Sequence, residues 1–259
     1  MLYPHGMFGW VDTFTSDVDR ARHFYEGVFG WQTYDRTDDM GAHYMHFYLD
    51  GQLVAGMSEM PIEMSAGEGL LPQWVSYVLV EDVDAVCAQA REAGGQVMLA
   101  PIDVTDQGRL ANLMDPSGGM FGVWQPYAHQ GADVFNAPCT LTWNELQTRN
   151  LEAALPFYEK VFGWRWVDGT TPGYKVALLP NKPGEDQTNA GAEAMPANVP
   201  EEIPAVWQVY FAVSDVPGTV EDALALGGRV FVPITENPTS VTAGILDPNG
   251  GRFMVISPR

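Results

Sequence analysis

The sequence predicts an α+β fold made of four βαβββ modules in two tandem copies. Three observations predict it: an octapeptide that returns, landmarks that keep a constant offset, and a strand–helix–strands order that restarts inside each copy. "FYEGVFGW", from Phe24 to Trp31, reappears 133 residues later as "FYEKVFGW", from Phe157 to Trp164. At the same offset Trp10 and Asp12 correspond to Trp143 and Glu145, Trp74 and Tyr77 to Trp207 and Tyr210, and Asp82 to Asp215. "DPSGG" at Asp115 returns as "DPNGG" at Asp247, 132 residues on. A long offset held across so many landmarks marks duplicated domains rather than a local motif. The polar, Gly/Pro-bearing stretch between the copies reads as a linker. The predicted division is a first domain over 1–128, a linker over 129–138 and a second domain over 139–259.

In the first copy "MFGWVDTFT" alternates and is rich in β-branched and aromatic residues, so it reads as a strand. Asp17 is a candidate N-cap, and Val18, Ala21, Phe24, Tyr25 and Val28 follow at helical spacing until Gly30 stops the helix. The octapeptide is therefore a helix end plus a strand start. "AHYMHFYLD" and "QLVAGMSEM" follow as two strands joined at Asp50-Gly51, a hairpin signal. The order then restarts with "WVSYVLV", the helix "EDVDAVCAQAREAG" and three more strands. In the second copy Pro156 is expected to interrupt the first helix early. The stretch from Asn181 to Pro204 reads either as a loop over the cleft or as a plain insertion.

Composition narrows the function. With 33 acidic and 13 basic residues the formal charge is -20, which repels nucleic acid and anionic membrane surfaces. Hydrophobic residues make up 46% of the chain, enough for packed cores. Cys87 and Cys139 are 52 residues apart and form neither a CxxC pair nor a disulfide framework. No signal-like leader and no long apolar run is visible, so the expected location is the cytoplasm.

The pattern "TSDVDRARHFYEGVFGW…VEDVDAVCAQAREAGG…DPSGGMFGVWQP" resembles the vicinal oxygen chelate superfamily, which includes glyoxalase I, bleomycin-resistance proteins and extradiol dioxygenases. More closely, it is similar to tandem glyoxalase-like proteins of the actinobacterial type. The resemblance implies paired βαβββ units wrapped into half-open β-barrel clefts, with a divalent metal held by His, Gln or Glu from the first, fifth and last strands. Here those places are held by Trp10, Val75 and Gly122 in the first copy and by Trp143, Gln208 and Met254 in the second. Gln208 is the one side chain of the six suited to bind such a metal, and three are needed. The expectation is therefore a site without metal or other cofactor. Of the five histidines, His43 and His46 share a strand on opposite faces, and His46 faces either the cleft or the solvent-side hairpin.

Strand alternation places Asp12 and Phe14 on the face of Trp10, and Glu145 and Gln147 on the face of Trp143. Tyr77 and Trp124 join the first cleft, Tyr210 and Ile256 the second; His46, Gln208 and these aromatics are the expected ligand contacts. Apolar walls with a few placed polar groups suit a small organic ligand, aromatic or carbonyl-bearing. Asp12 and Glu145 are the candidate acid–base residues, because a carboxylate among rings loses solvation and its pKa rises. The alternative role for each is to accept hydrogen bonds from a neighbouring Trp or Tyr. Trp10 and Trp143 are either platforms or core filling, while Trp74 and Trp207 are expected on the helix side. Two functional readings follow: a metal-independent binder or lyase/isomerase/hydroxylase-like enzyme, and a metal-dependent glyoxalase or dioxygenase with non-standard ligands. A duplicated chain can serve as its own dimer, so a monomer of two pseudo-symmetric domains is expected.

Overall fold

The computed structural model describes residues 3–36, 44–60 and 72–259; His43 lies outside them. Among the described residues the chain runs through four βαβββ modules. The first comprises β1 (Met7–Thr15), α1 (Val18–Phe29), β2 (Gln32–Asp35), β3 (Tyr44–Leu49) and β4 (Gln52–Glu59). The second comprises β5 (Gln73–Leu79), α2 (Val83–Glu92), β6 (Gln96–Val104), β7 (Gly108–Met114) and β8 (Met120–Pro126). The third comprises β9 (Leu141–Thr148), α3 (Leu151–Phe162), β10 (Arg165–Asp168), β11 (Lys175–Leu178) and β12 (Thr188–Ala194). The fourth comprises β13 (Val206–Ala212), α4 (Val216–Ala225), β14 (Arg229–Glu236), β15 (Ser240–Leu246) and β16 (Arg252–Pro258). In every module the last three strands form an antiparallel meander whose final strand pairs in parallel with the first.

Local chemistry explains the turns. Asp17 caps α1 by accepting from the Arg20 N–H, and Gly30 ends that helix at φ 69°; Asn150 and Gly163 repeat both roles on α3. Asp50 and Gly51 both take positive φ between β3 and β4, the conformation of a tight two-residue hairpin. Two expectations need correction. Helix α3 runs unbroken through Pro156 to Phe162, because at its sixth residue the ring forfeits one hydrogen bond while the apolar face stays packed. The stretch from Asn181 to Pro204 is not a bare loop, and the expected insertion is confined to the β11–β12 connection, 179–187, where the first copy has only Asp50 and Gly51 between β3 and β4. The stretch contains β12, and the segment after that strand is fastened by the Arg149 guanidinium, which donates to the carbonyls of Ile203 (2.6 Å), Pro200 (2.7 Å) and Val199 (3.2 Å).

Contacts gather the chain into two compact units. One comprises Met1–Trp10, Ser76–Gly131 and Trp143–Gln208 and holds α2 and α3; the other comprises Val11–Val75, Ala132–Thr142 and Val209–Arg259 and holds α1 and α4. Each unit thus takes one helix from each sequence copy. In the α1–α4 unit the core combines Phe24, Tyr25, Phe29, Trp31 and Trp74 with Val209, Phe211 and Phe253. In the α2–α3 unit it combines Phe8, Val78, Phe121 and Val123 with Phe157, Tyr158, Phe162, Trp164 and Trp207.

The repeated octapeptide owes its form to one polar contact inside each core. Tyr25 donates to Asp247 Oδ2 at 2.7 Å and accepts from Trp74 Nε1 at 2.9 Å. Tyr158 donates to Asp115 Oδ2 at 2.7 Å and accepts from Trp207 Nε1 at 2.7 Å. The helix of one copy is thereby tied to the DPxGG turn of the other, within one unit each time. Trp74 and Trp207 lie on the helix side as the sequence predicts.

Burial, and next the neighbouring carboxylate, push both phenols well above their usual pKa. A folded-state pKa raised in this way leaves stability intact below about pH 10, the unfolded tyrosine value. Above it the unfolded chain releases protons that the folded chain keeps, so stability falls by about 1.4 kcal/mol per pH unit for each tyrosine. Urea titrations between pH 9 and 11 should show this decline, and a Tyr25→Phe/Tyr158→Phe protein should decline less steeply. Equal slopes in the two proteins would contradict it.

Candidate functional site

On the strands, alternate residues enter the two cores, which leaves Trp10, Asp12 and Phe14 of β1, and Trp143, Glu145 and Gln147 of β9, outside them. In the α1–α4 unit Asp12 stands opposite Gly56 of the parallel strand β4. Tyr44, at the start of β3, reaches across that glycine and donates to Asp12 Oδ1 at 2.7 Å. A Cβ on Gly56 would lie 2.1 Å from Asp12 Oδ1 and 2.3 Å from the Tyr44 hydroxyl, so only glycine leaves the pair its room. His46 is buried two residues along, its ring edge-on to Tyr44 with centroids 5.3 Å apart. Phe14 is half-buried, and Tyr210 is buried in register with Met254 of β16.

The same device recurs in the α2–α3 unit. Glu145 stands opposite Gly191 of β12, and Tyr174 donates to Glu145 Oε2 at 2.8 Å while accepting from Trp143 Nε1 at 2.9 Å. A Cβ on Gly191 would lie 1.9 Å from the Tyr174 hydroxyl. Gln147 Nε2 bridges two carboxylates, Glu145 Oε1 at 3.2 Å and Glu193 Oε1 at 2.9 Å. Burial, with the Glu145 charge second, raises the Tyr174 pKa, so the phenol stays protonated and remains a donor.

Trp10, Tyr77 and Trp124 lie in this same unit. Trp10 is only 2% exposed: the ring of His129, from the segment after β8, stands edge-on to it at 4.4 Å. Trp124 donates its indole N–H to the His129 carbonyl at 2.9 Å. Tyr77 covers Gly122, where a Cβ would meet its ring at 2.2 Å. Gln208 is buried, and its Oε1 finds no hydrogen-bond donor among the described residues.

These positions do not fit a metal. Of the places the resemblance assigns to ligands, Trp10, Val75 and Gly122 offer no donor atom, and the ring of Tyr77 fills the space that a side chain at 122 would need. The indole nitrogen of Trp143 is a proton donor committed to Tyr174, leaving an amide at Gln208 and a thioether at Met254. Among the described residues no three His, Cys, Asp or Glu side chains are grouped to hold an ion.

The sequence pattern of the "Glyoxalase/Bleomycin resistance protein/Dioxygenase superfamily" matches residues 7–123 and again 140–255. The chain belongs to this superfamily. A protein of Mycobacterium tuberculosis named "Putative glyoxylase CFP32" is 37% identical to it over 99% of this chain and 96% of its own length. The "Anthracycline biosynthesis protein DnrV" of Streptomyces peucetius is 32% identical over 99% of this chain and 95% of its own length. Among solved structures, the Mn(II)-bound glyoxalase from Novosphingobium aromaticivorans superposes with a TM-score of 0.64 at 15% identity, covering 99% of this chain and 83% of that one. The glyoxalase-superfamily fold is thus present twice in tandem. No helix among the described residues is long and apolar enough to cross a membrane.

Against this superfamily background, the residues absent from the sequence reading are Tyr44, Tyr174, Glu193, His129 and the glycine pair. A signal for the tyrosines existed: "HYMHFYL" and "GYKVALL" align at an offset of 130 once three residues are dropped between the strands. His129 left none, because its partner Trp10 is distant in sequence and its own stretch is irregular.

Proposed function

We propose that the chain is a metal-independent member of its superfamily whose two carboxylate–tyrosine pairs are sites for small organic molecules, at least one of them aromatic or carbonyl-bearing. The observation that carries this reading is the pair built twice, Asp12–Tyr44 over Gly56 and Glu145–Tyr174 over Gly191. Unlike the Tyr25–Asp247 and Tyr158–Asp115 contacts, which tie helices to turns inside the cores, these two pairs lie outside both core clusters, where a buried carboxylate is a candidate for chemistry.

The phenol holds one carboxylate oxygen of each pair, and at Glu145 the other accepts from Gln147; in both pairs the carboxylate is the group that would take a proton from a ligand hydroxyl or from carbon beside a carbonyl. As the carboxylate takes that proton, the single O–H of the phenol would turn from it to the negative charge that develops on the ligand. Nearby rings, Trp143 with Tyr174 and His46 with Tyr44, supply flat contacts. The names of the two full-length relatives, a glyoxylase and an anthracycline biosynthesis protein, both point to carbonyl-bearing small molecules. An anthracycline is a flat fused-ring quinone, the shape aromatic walls stack on.

Titration of chelator-treated protein with dihydroxyanthraquinone, followed by tryptophan fluorescence, tests the reading. Saturable quenching that is unchanged by EDTA and weakened about tenfold or more in Asp12→Asn is the expected result. Binding that disappears on EDTA treatment and returns with Mn, Ni or Zn would overturn it. Conversion of the probe or of methylglyoxal by the wild type, lost in Asp12→Asn or Glu145→Gln, would place the carboxylates in catalysis.

A further inference from the structure

The two copies carry different side chains at equivalent positions beside the carboxylate. Register fixes the equivalence: His46 lies opposite Gly56 and Tyr34 opposite His46, while Val176 lies opposite Gly191 and Val167 opposite Val176. Both hairpins shift register at the same step, just before Tyr48 and Leu178. Tyr44 therefore matches Tyr174, and the pairing tyrosine is common to both copies. The other three positions are Tyr34, His46 and Tyr48 in the first copy and Val167, Val176 and Leu178 in the second.

In the α1–α4 unit Met45, Phe47 and Leu49 turn to the core, so Tyr44, His46 and Tyr48 share the opposite face of β3. Their rings form a series with Tyr34: centroids are 5.2 Å apart from Tyr34 to Tyr48, 6.1 Å from Tyr48 to His46 and 5.3 Å from His46 to Tyr44. Tyr34 at the outer end is 54% exposed and Tyr48 half-buried, while at the inner end His46 is 7% and Asp12 8% exposed, with half-buried Tyr44 between them. Solvent at one end and a hydrogen-bonded carboxylate at the other make it a track and not a patch.

Phenols and an imidazole offer a ligand two things at once, ring surface and N–H or O–H donors. A flat ring system with carbonyl oxygens uses both. The aliphatic trio of the second copy offers contact area and no donor. A site built to hydrogen-bond such oxygens discriminates far more strongly than one relying on apolar contact.

We propose that the first copy alone recognises a flat, carbonyl-bearing aromatic ligand, through Tyr34, His46 and Tyr48, while the second copy serves a ligand of different polarity. This rests on the function proposed above. Calorimetric titration of the chelator-treated full chain with dihydroxyanthraquinone should give one strong site per chain. Giving the first copy the second's residues, Tyr34→Val/His46→Val/Tyr48→Leu, should weaken that site at least tenfold, and Tyr48→Leu alone, at a half-buried position, several-fold with an unchanged melting temperature. The reciprocal Val167→Tyr/Val176→His/Leu178→Tyr protein should move the stoichiometry toward two. Two equal sites in the wild type, or wild-type affinity in the triple variant, would sink the assignment of the ligand to one copy and leave the function reading standing. Absence of any binding by the wild type would overturn both.

Discussion

Asp247→Ala is expected to destabilise the α1–α4 unit by about 3–5 kcal/mol, a loss reserved for broken buried networks. One carboxylate there serves four donors: the Tyr25 hydroxyl on Oδ2, and the N–H groups of Asn249, Gly250 and Gly251 on Oδ1 at 2.8–2.9 Å. Truncation leaves the buried phenol's proton without its acceptor, although Trp74 still donates to the hydroxyl, and frees the turn that starts β16. Tyr25→Phe removes a single charge-assisted hydrogen bond and should cost about 1.5–3 kcal/mol. Urea unfolding followed by tryptophan fluorescence measures both. The ordering matters more than the size: if Tyr25→Phe costs as much as Asp247→Ala, the turn contributes nothing and the tyrosine contact is the whole effect. Asp115→Ala should repeat the behaviour in the α2–α3 unit, where Asp115 accepts from Tyr158, Ser117 and Gly119.

This contact shows where sequence reading succeeds and where it stops. The octapeptide, its N-cap and glycine stop, the Asp50-Gly51 hairpin and the inward indoles of Trp74 and Trp207 are legible because each rests on local spacing or strand alternation. That Tyr25 meets Asp247, 222 residues away, is not legible. The repeat makes Asp115 and Asp247 interchangeable on paper, and packing alone decides which helix meets which turn. The site divides the same way. Asp12 and Glu145 could be picked out by facing rule and type, and Trp143 and Gln147 prove to belong with Glu145 through direct or shared hydrogen bonds. Their tyrosine partners escaped because they come from another strand at a different offset. The glycines that admit them look like ordinary strand weakening until the distances are known.

Gly56→Ala should therefore damage the first copy more than a one-carbon change suggests. The new methyl would sit 2.1 Å from Asp12 Oδ1 and 2.3 Å from the Tyr44 hydroxyl, so one of the two must move and their hydrogen bond must open. Overpacking at a buried strand position costs about 1–3 kcal/mol. The larger consequence is for the ligand: a carboxylate no longer held by its phenol loses a charge-assisted bond worth about 1.5–3 kcal/mol, or about 10- to 100-fold in affinity for dihydroxyanthraquinone. Tyr44→Phe opens the same bond without adding bulk, which makes a double-mutant cycle informative. If the glycine acts only by admitting the tyrosine, Gly56→Ala/Tyr44→Phe should bind no worse than the weaker single variant. Fully additive losses would show that Gly56 matters for packing alone and that the pair is not the unit on which binding depends. Gly191→Ala is the matched control, since it opens the Glu145–Tyr174 pair by the same geometry and should leave first-copy affinity untouched.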